Sequence, residues 1–286
     1  MKILSCSPEL LDLVDTCPEG SEILVGRIIH VLTDKTRPPP ILVDKFRELY
    51  KRRSSDVRLL IPVLTGLTKQ EITTSLPDLI QLSAGVVKEV FSRLLQGGEF
   101  SPTDLLIALH LIDCGKADKD SVVPAVKRGI DMCFQMRRTF TQEVLSIVLQ
   151  QLLEELTIPF FLMRTIIQAL KIYPMMVGFI INALQKLILK QVWKQKIIWD
   201  GWIKACKETV PQSYAVMLQL PHSQLADFLD RAPLLRDPLL EHVQGFNESQ
   251  RAHVSANTMA VLYNVKPDVE PQAAEDMDAD VVPPGE

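Results

Sequence analysis

The stretch KQVWKQKIIWDGWIKAC, from Lys190 to Cys206, contains all three tryptophans of this 286-residue chain. In its second half, four apolar residues stand at positions i, i+3, i+4 and i+7: Trp199, Trp202, Ile203 and Cys206. That spacing places the four side chains on one face of an α-helix. The stretch therefore predicts an amphipathic helix that buries both of its tryptophans against other helices.

The third tryptophan, Trp193, does not share that face. Nine residues separate it from Leu184. At about 100° per residue, this turns its indole to the opposite side of a helix predicted over Met175–Trp193. Two interpretations are open: packing between neighbouring helices, which we favour, and an aromatic anchor for a partner protein, surrounded by lysines. Under the second interpretation the candidate partner-binding residues are Lys186, Lys190, Trp193 and Lys194.

Helical signals recur along most of the chain. Thr68 and Glu71 have the spacing of a capping box, and Ser101 precedes Pro102 and Asp104 in the pattern of a helix start. No segment shows the sustained alternation typical of strands. Helices of about 10 to 20 residues, joined at prolines, predict an all-α fold of stacked antiparallel helix pairs, a HEAT- or armadillo-like superhelix. A globular helical bundle is the alternative.

The chain is predicted to have three parts. The segment from Pro267 to Glu286 contains seven acidic residues and no Lys or Arg, which predicts a disordered acidic tail over 266–286. Residues 54–265 form the predicted main helical domain, and residues 1–53 are expected to add N-terminal helices or a first repeat. Outside the tail, acidic and basic residues nearly balance, so charge alone does not indicate nucleic-acid binding.

Sequence patterns of common enzymes are absent. The five histidines and five cysteines form no HExxH or CxxC, and no Walker loop, GxGxxG or GxSxG occurs. His110 lies inside the apolar run LLIALHLID and is expected to be a satisfied, partly buried imidazole. The longest uncharged run is too short for a membrane span. The sequence predicts no catalytic, cofactor-binding or metal-binding residue, and a hydrolase with an unrecognised site is the least favoured reading.

Arg52-Arg53-Ser54-Ser55 is similar to the recognition sequence of a basophilic kinase, which makes Ser55 a candidate phosphorylation site. The alternative, which we favour, is that Ser55 is the N-cap of a helix through Val57 and Leu60.

Several segments, in the same order, resemble the C-terminal domain of the symplekin family. They are DVRLLIPVLTGLTKQEITTSLPDLI (56–80), VVKEVFSRLL (86–95), LLIALHLID (105–113), LMRTIIQALKIYP (162–174) and the tryptophan-containing stretch extended to Pro221. None is a catalytic motif. Their order and combined length make the resemblance specific.

The resemblance implies a non-enzymatic scaffold of the nuclear machinery that cleaves and polyadenylates pre-mRNA and also processes histone pre-mRNA 3′ ends. It implies three partners: the endonuclease subunit of cleavage and polyadenylation specificity factor, its inactive paralogue, and cleavage stimulation factor. RNA contact would be indirect, and the location nuclear, with the cytoplasm also open. The phosphatase-associated N-terminal HEAT domain of longer symplekins is not matched, so phosphatase binding is not carried over. Direct single-stranded RNA binding through Trp193 and its lysines is the alternative function.

Overall fold

The computed structural model describes residues 8–18, 20–33, 37–52, 56–97, 99–114 and 119–264. Within these ranges every regular element is a helix and no strand occurs. The all-α prediction is therefore confirmed. Ser55 and the predicted acidic tail lie outside the described residues, as does the predicted domain boundary at residues 53 and 54.

The chain forms two compact units, with the boundary after Gln212. The α-helices of the first unit are α1 (Pro8–Asp15), α2 (Glu22–Thr33), α3 (Pro40–Arg52), α4 (Lys69–Leu79), α5 (Ala84–Gln96), α6 (Pro102–Leu111), α7 (Lys119–Gln135), α8 (Gln142–Glu154), α9 (Leu162–Ile172), α10 (Val177–Leu189) and α11 (Lys196–Glu208). Short 3₁₀ helices lie between them at Val57–Gly66, Pro174–Met176 and Val192–Lys194.

Two predicted helix starts are confirmed. The backbone N–H of Thr68 donates to a carboxylate oxygen of Glu71 at 2.8 Å, and the Thr68 hydroxyl accepts from the Glu71 backbone N–H at 3.3 Å. Ser101 and Asp104 make the same reciprocal pair at 2.8 and 3.0 Å. Each pair satisfies backbone donors that the first helical turn cannot satisfy itself, so these helices begin where the local sequence indicates.

The element after residue 55 differs from the prediction. It is a 3₁₀ helix over Val57–Gly66, and its N-cap is Asp56, whose side chain accepts from the Arg58 backbone N–H at 3.0 Å. The interpretation of Ser55 as the N-cap is therefore wrong, because the carboxylate one residue later fills that role. Ser55 itself lies outside the described residues, and its phosphorylation stays a prediction.

Helices of the first unit pack on their second neighbours along the chain. Helix α6 packs on α8, α8 packs on α10, and α9 packs on α11. Contacts between α6 and α7 and between α8 and α9 join the two sets. Stacked helix pairs have this arrangement, because each pair buries its apolar face only against the next pair. The prediction of stacked helix pairs is confirmed.

The second unit contains α12 (Tyr214–Met217), α13 (His222–Arg231), α14 (Arg236–Gln244), α15 (Glu248–Ala252) and α16 (Ala256–Leu262), with a 3₁₀ helix at Pro233–Leu235. Helix α16 packs on both α13 and α14. The core of this unit includes Phe228, Leu239 and Leu262, each at most 1% exposed.

Candidate partner-binding surface

Trp199 and Trp202 lie in the core of the first unit. They are 2% and 0% exposed, and their rings stack with centroids 5.1 Å apart. The indole N–H of Trp202 donates to the backbone carbonyl of Leu184 in α10 at 3.1 Å. A buried indole needs such an acceptor, and this one joins α11 to α10. The core prediction for these two tryptophans is confirmed.

The helix that was predicted to end at Trp193 ends earlier. Helix α10 stops at Leu189, and Gln191 then adopts the left-handed conformation at φ 54° and ψ 54°. A short 3₁₀ helix, Val192–Lys194, follows and carries Trp193. Because the chain changes direction at Gln191, the predicted rotation of Trp193 about a continuous helix does not apply.

Trp193 is half-buried at this turn, between fully buried Val192 and exposed Lys194. Part of the indole thus packs against the protein while the rest is accessible. This degree of burial fits a ring that the fold holds in place and that a partner can still contact.

The other candidate residues differ in their surroundings. Lys186 is exposed on α10. Lys190 is partly buried, and its ammonium group donates to the backbone carbonyl of Glu155, immediately after α8. The last carbonyls of a helix lack partners within it and attract cations, so Lys190 stabilises the end of α8. Part of its hydrogen-bonding capacity is therefore already used within the fold.

Two exposed leucines accompany these residues, and sequence reasoning did not select them. Leu189 is 84% exposed and Leu156 is 100% exposed. They neighbour Lys190 and Glu155 in the chain, so the bond between those two residues brings the leucines to the same edge of the stack. The feature that could have found Leu189 is its position three residues after Lys186 on one helical face. We use the name Trp193 surface for Leu156, Lys186, Leu189, Lys190, Trp193 and Lys194.

Three titratable side chains in the core, those of His110, Cys133 and Cys206, are uncharged at pH 7. His110 is 4% exposed; its Nδ1 lies 2.7 Å from the Leu106 carbonyl and its Nε2 lies 2.8 Å from the Thr165 hydroxyl. Burial lowers the pKa of His110 to about 4, so the ring is neutral at pH 7. Burial also raises the pKa of the Cys133 and Cys206 thiols, which keeps them protonated and unreactive.

The described part of the chain has neither a metal-binding cluster nor a membrane-spanning helix. No group of three or more His, Cys, Asp or Glu side chains there is placed to hold a metal ion. None of the helices described combines the length and the apolar content that a membrane crossing requires.

The chain matches a known family. The model of a family described as "Symplekin tight junction protein C terminal" matches residues 56–232, which is more than half of the chain. The matched range begins at the Asp56 N-cap and includes every residue of the Trp193 surface. No solved structure matches the chain.

Proposed function

The chain belongs to the symplekin C-terminal family, and from this premise we propose that it is a non-enzymatic scaffold of the nuclear machinery for pre-mRNA cleavage and polyadenylation, acting also in histone pre-mRNA 3′-end processing. Its proposed partners are the endonuclease subunit of cleavage and polyadenylation specificity factor, the inactive paralogue of that subunit, and cleavage stimulation factor. The fold supports this proposal, because stacked helices offer long surfaces along which helices or extended segments of other proteins can dock.

We assign the endonuclease subunit and its paralogue to the Trp193 surface. The observation that carries this assignment is the half-buried indole, together with Leu189 and Leu156, which are 84% and 100% exposed. Covering exposed aliphatic area of this kind with a partner stabilises the complex. A partly fixed aromatic ring with charged neighbours has the composition of a binding hot spot. Lys186 and Lys194 would lie at the rim and favour an acidic partner surface.

The test uses purified partners and the full chain. Trp193→Ala should weaken binding of the endonuclease subunit by at least about tenfold, the typical effect of removing a hot-spot aromatic residue. The melting temperature should fall much less than in Trp202→Ala, because Trp202 is fully buried and Trp193 is not.

Leu234→Ala is the matched control, since Leu234 is 90% exposed and belongs to the second unit. It should change neither binding nor melting. If Trp193→Ala unfolds the protein as Trp202→Ala does, the indole is a packing residue and the assignment is wrong.

Direct binding of single-stranded RNA at the same surface is the second candidate function. It is favoured by the exposed Lys186 and Lys194 and the partly accessible indole of Trp193. The Lys190 ammonium group already donates to the Glu155 carbonyl, which leaves it fewer hydrogen bonds to offer a phosphate. An RNA site would show affinity that falls steeply as salt rises, and saturable binding that Trp193→Ala removes. Absence of such binding to an oligouridylate would exclude this candidate.

A further inference from the structure

A second surface of the first unit lies on helices other than those that carry the Trp193 surface. It is a groove of about 560 Å³ across α7, α9 and α11, with residues from the segment before α9 at one edge. Helix α9 contributes residues at i, i+3, i+4 and i+7, and helix α11 contributes residues at i, i+4 and i+7. These residues are Arg164, Ile167, Gln168 and Lys171 on α9, and Ile197, Gly201 and Lys204 on α11.

The groove is positively charged. No Asp or Glu is among the described residues that line it. Four cationic side chains line it: Lys127, Arg164, Lys171 and Lys204. The nearby carboxylates are already paired, since Asp131 accepts from Arg164 at 2.8 and 2.9 Å and Glu208 lies 3.8 Å from Lys171. Lys127 and Lys204 are exposed and form no ion pair within the described part of the chain. The surplus charge is therefore available to an anion.

Polar groups at the wall of the groove are incompletely used. Arg164 binds both oxygens of Asp131 through Nη2, which leaves its buried Nε without a partner. Gln168 donates to Asp131 at 2.8 Å, and its buried Oε1 also lacks a partner. Buried polar atoms are normally hydrogen-bonded, so these two mark a place where the fold alone leaves bonding capacity unfilled.

Apolar side chains complete the groove. Phe160 is 39% exposed and rests edge-on against buried Phe161, with ring centroids 4.9 Å apart. Ile197 is 59% exposed on α11. Gly201 has no side chain, and the backbone there lies close to α9: an added Cβ would lie 2.6 Å from the Met163 Cβ. The site thus combines fixed positive charge with two accessible apolar side chains.

We propose that this groove, called the basic groove below, binds an acidic peptide segment of a partner protein that also carries an apolar side chain. Carboxylates of the segment pair with Lys127 and Lys204. The apolar side chain packs between Phe160 and Ile197. Among the described residues that line the groove, Phe160 is one accessible aromatic ring and Ile197 is aliphatic, so successive bases would find no series of rings to stack on, which favours a peptide over RNA. The proposal uses different residues from the Trp193 surface and does not depend on which proteins bind there.

The test measures fluorescence anisotropy of a short labelled peptide of Glu and Asp with two Phe, titrated with the full chain. Lys127→Glu/Lys204→Glu should weaken binding roughly tenfold or more, since two attractions become repulsions. The matched control is Lys51→Glu/Lys88→Glu, which makes the same change of net charge at exposed positions on α3 and α5 outside both surfaces and should leave the affinity unchanged. Ile197→Ser should weaken binding without altering charge. All substituted side chains are exposed, and far-ultraviolet circular dichroism verifies that each variant folds.

Four outcomes would overturn the proposal. The first is equal binding of the corresponding Gln and Asn peptide, and the second is an equal loss in both Lys-to-Glu pairs. The third is saturable binding of oligouridylate that the Lys127→Glu/Lys204→Glu pair removes, which would assign the groove to RNA. The fourth is tighter peptide binding after the acidic residues of 267–286 are changed to amides, which would assign the groove to the chain's own tail.

Discussion

Replacing His110 by Gln should change how the stability of this protein depends on pH. The carbonyl of Leu106 can only accept, so Nδ1 of His110 carries the proton in the neutral ring. Nε2 then accepts from the Thr165 hydroxyl at 2.8 Å. This pairing fixes one neutral tautomer between α6 and α9, and burial lowers the pKa of the ring from 6.5 to about 4.

The sign of the effect follows from proton uptake. In the unfolded chain His110 takes up a proton as pH falls through 6.5, whereas in the fold it stays neutral until about pH 4. The unfolded state therefore gains protons first, and the contribution of His110 to stability, complete above pH 6.5, is lost between pH 6.5 and 4. With 1.36 kcal/mol per pKa unit, the loss between pH 7 and pH 5 is about 2 kcal/mol.

Urea denaturation of wild type and His110→Gln at pH 7, 6 and 5 measures this contribution. The difference in free energy of unfolding between the two proteins cancels the titration of groups that they share. That difference should move by about 2 kcal/mol in favour of the variant as the pH falls. A difference that is constant across the range would show that His110 titrates equally in both states, and the reasoning from its burial would be wrong.

Two further substitutions test local packing and charge. Gly201→Ala should lower the free energy of unfolding, measured by urea denaturation, by about 1 kcal/mol. Overpacking against Met163 costs about 1–3 kcal/mol, and the higher helix propensity of Ala recovers about 1 kcal/mol. A more stable variant would contradict this. The Arg47 guanidinium, with the Thr68 cap, lowers the pKa of Glu71 to about 2. The contribution of Glu71 to stability is therefore complete above pH 4.5 and is lost as the pH falls towards 2. In melting experiments the destabilisation by Glu71→Gln should therefore be larger at pH 6 than at pH 3, and equal effects at both would refute the pairing.

Local signals predicted several elements of this fold correctly. The reciprocal caps at Thr68 and Ser101 depend on residues three apart, and the burial of Trp199 and Trp202 follows from the period of one helix. The sequence carries no comparable signal for the end of α10, where Gln191 adopts a left-handed conformation that is uncommon for residues other than Gly or Asn. The predicted helix was therefore extended four residues too far.

The candidate surfaces were harder to predict because they depend on contacts distant in sequence. Lys190 reaches a carbonyl that lies 35 residues earlier, and this contact joins the end of α10 to the segment after α8. The basic groove takes residues from three helices, and its charge depends on Arg164 neutralising Asp131 across 33 residues. Neither arrangement can be read from the period of a single helix.

Directional bonds between the helix sets explain how such a stack can hold its surfaces in place. Apolar contacts alone allow neighbouring helices to slide, since aliphatic packing has little directionality. Here the Trp202 indole fixes α11 to α10, His110 fixes α6 to α9, and the Arg128 guanidinium donates to the Ile80 carbonyl after α4 at 2.8 Å. Each bond would be lost if its helix shifted by a turn. A partner that docks on helices held in this way has less backbone to order, and this preorganisation is what a scaffold requires to bind with useful affinity.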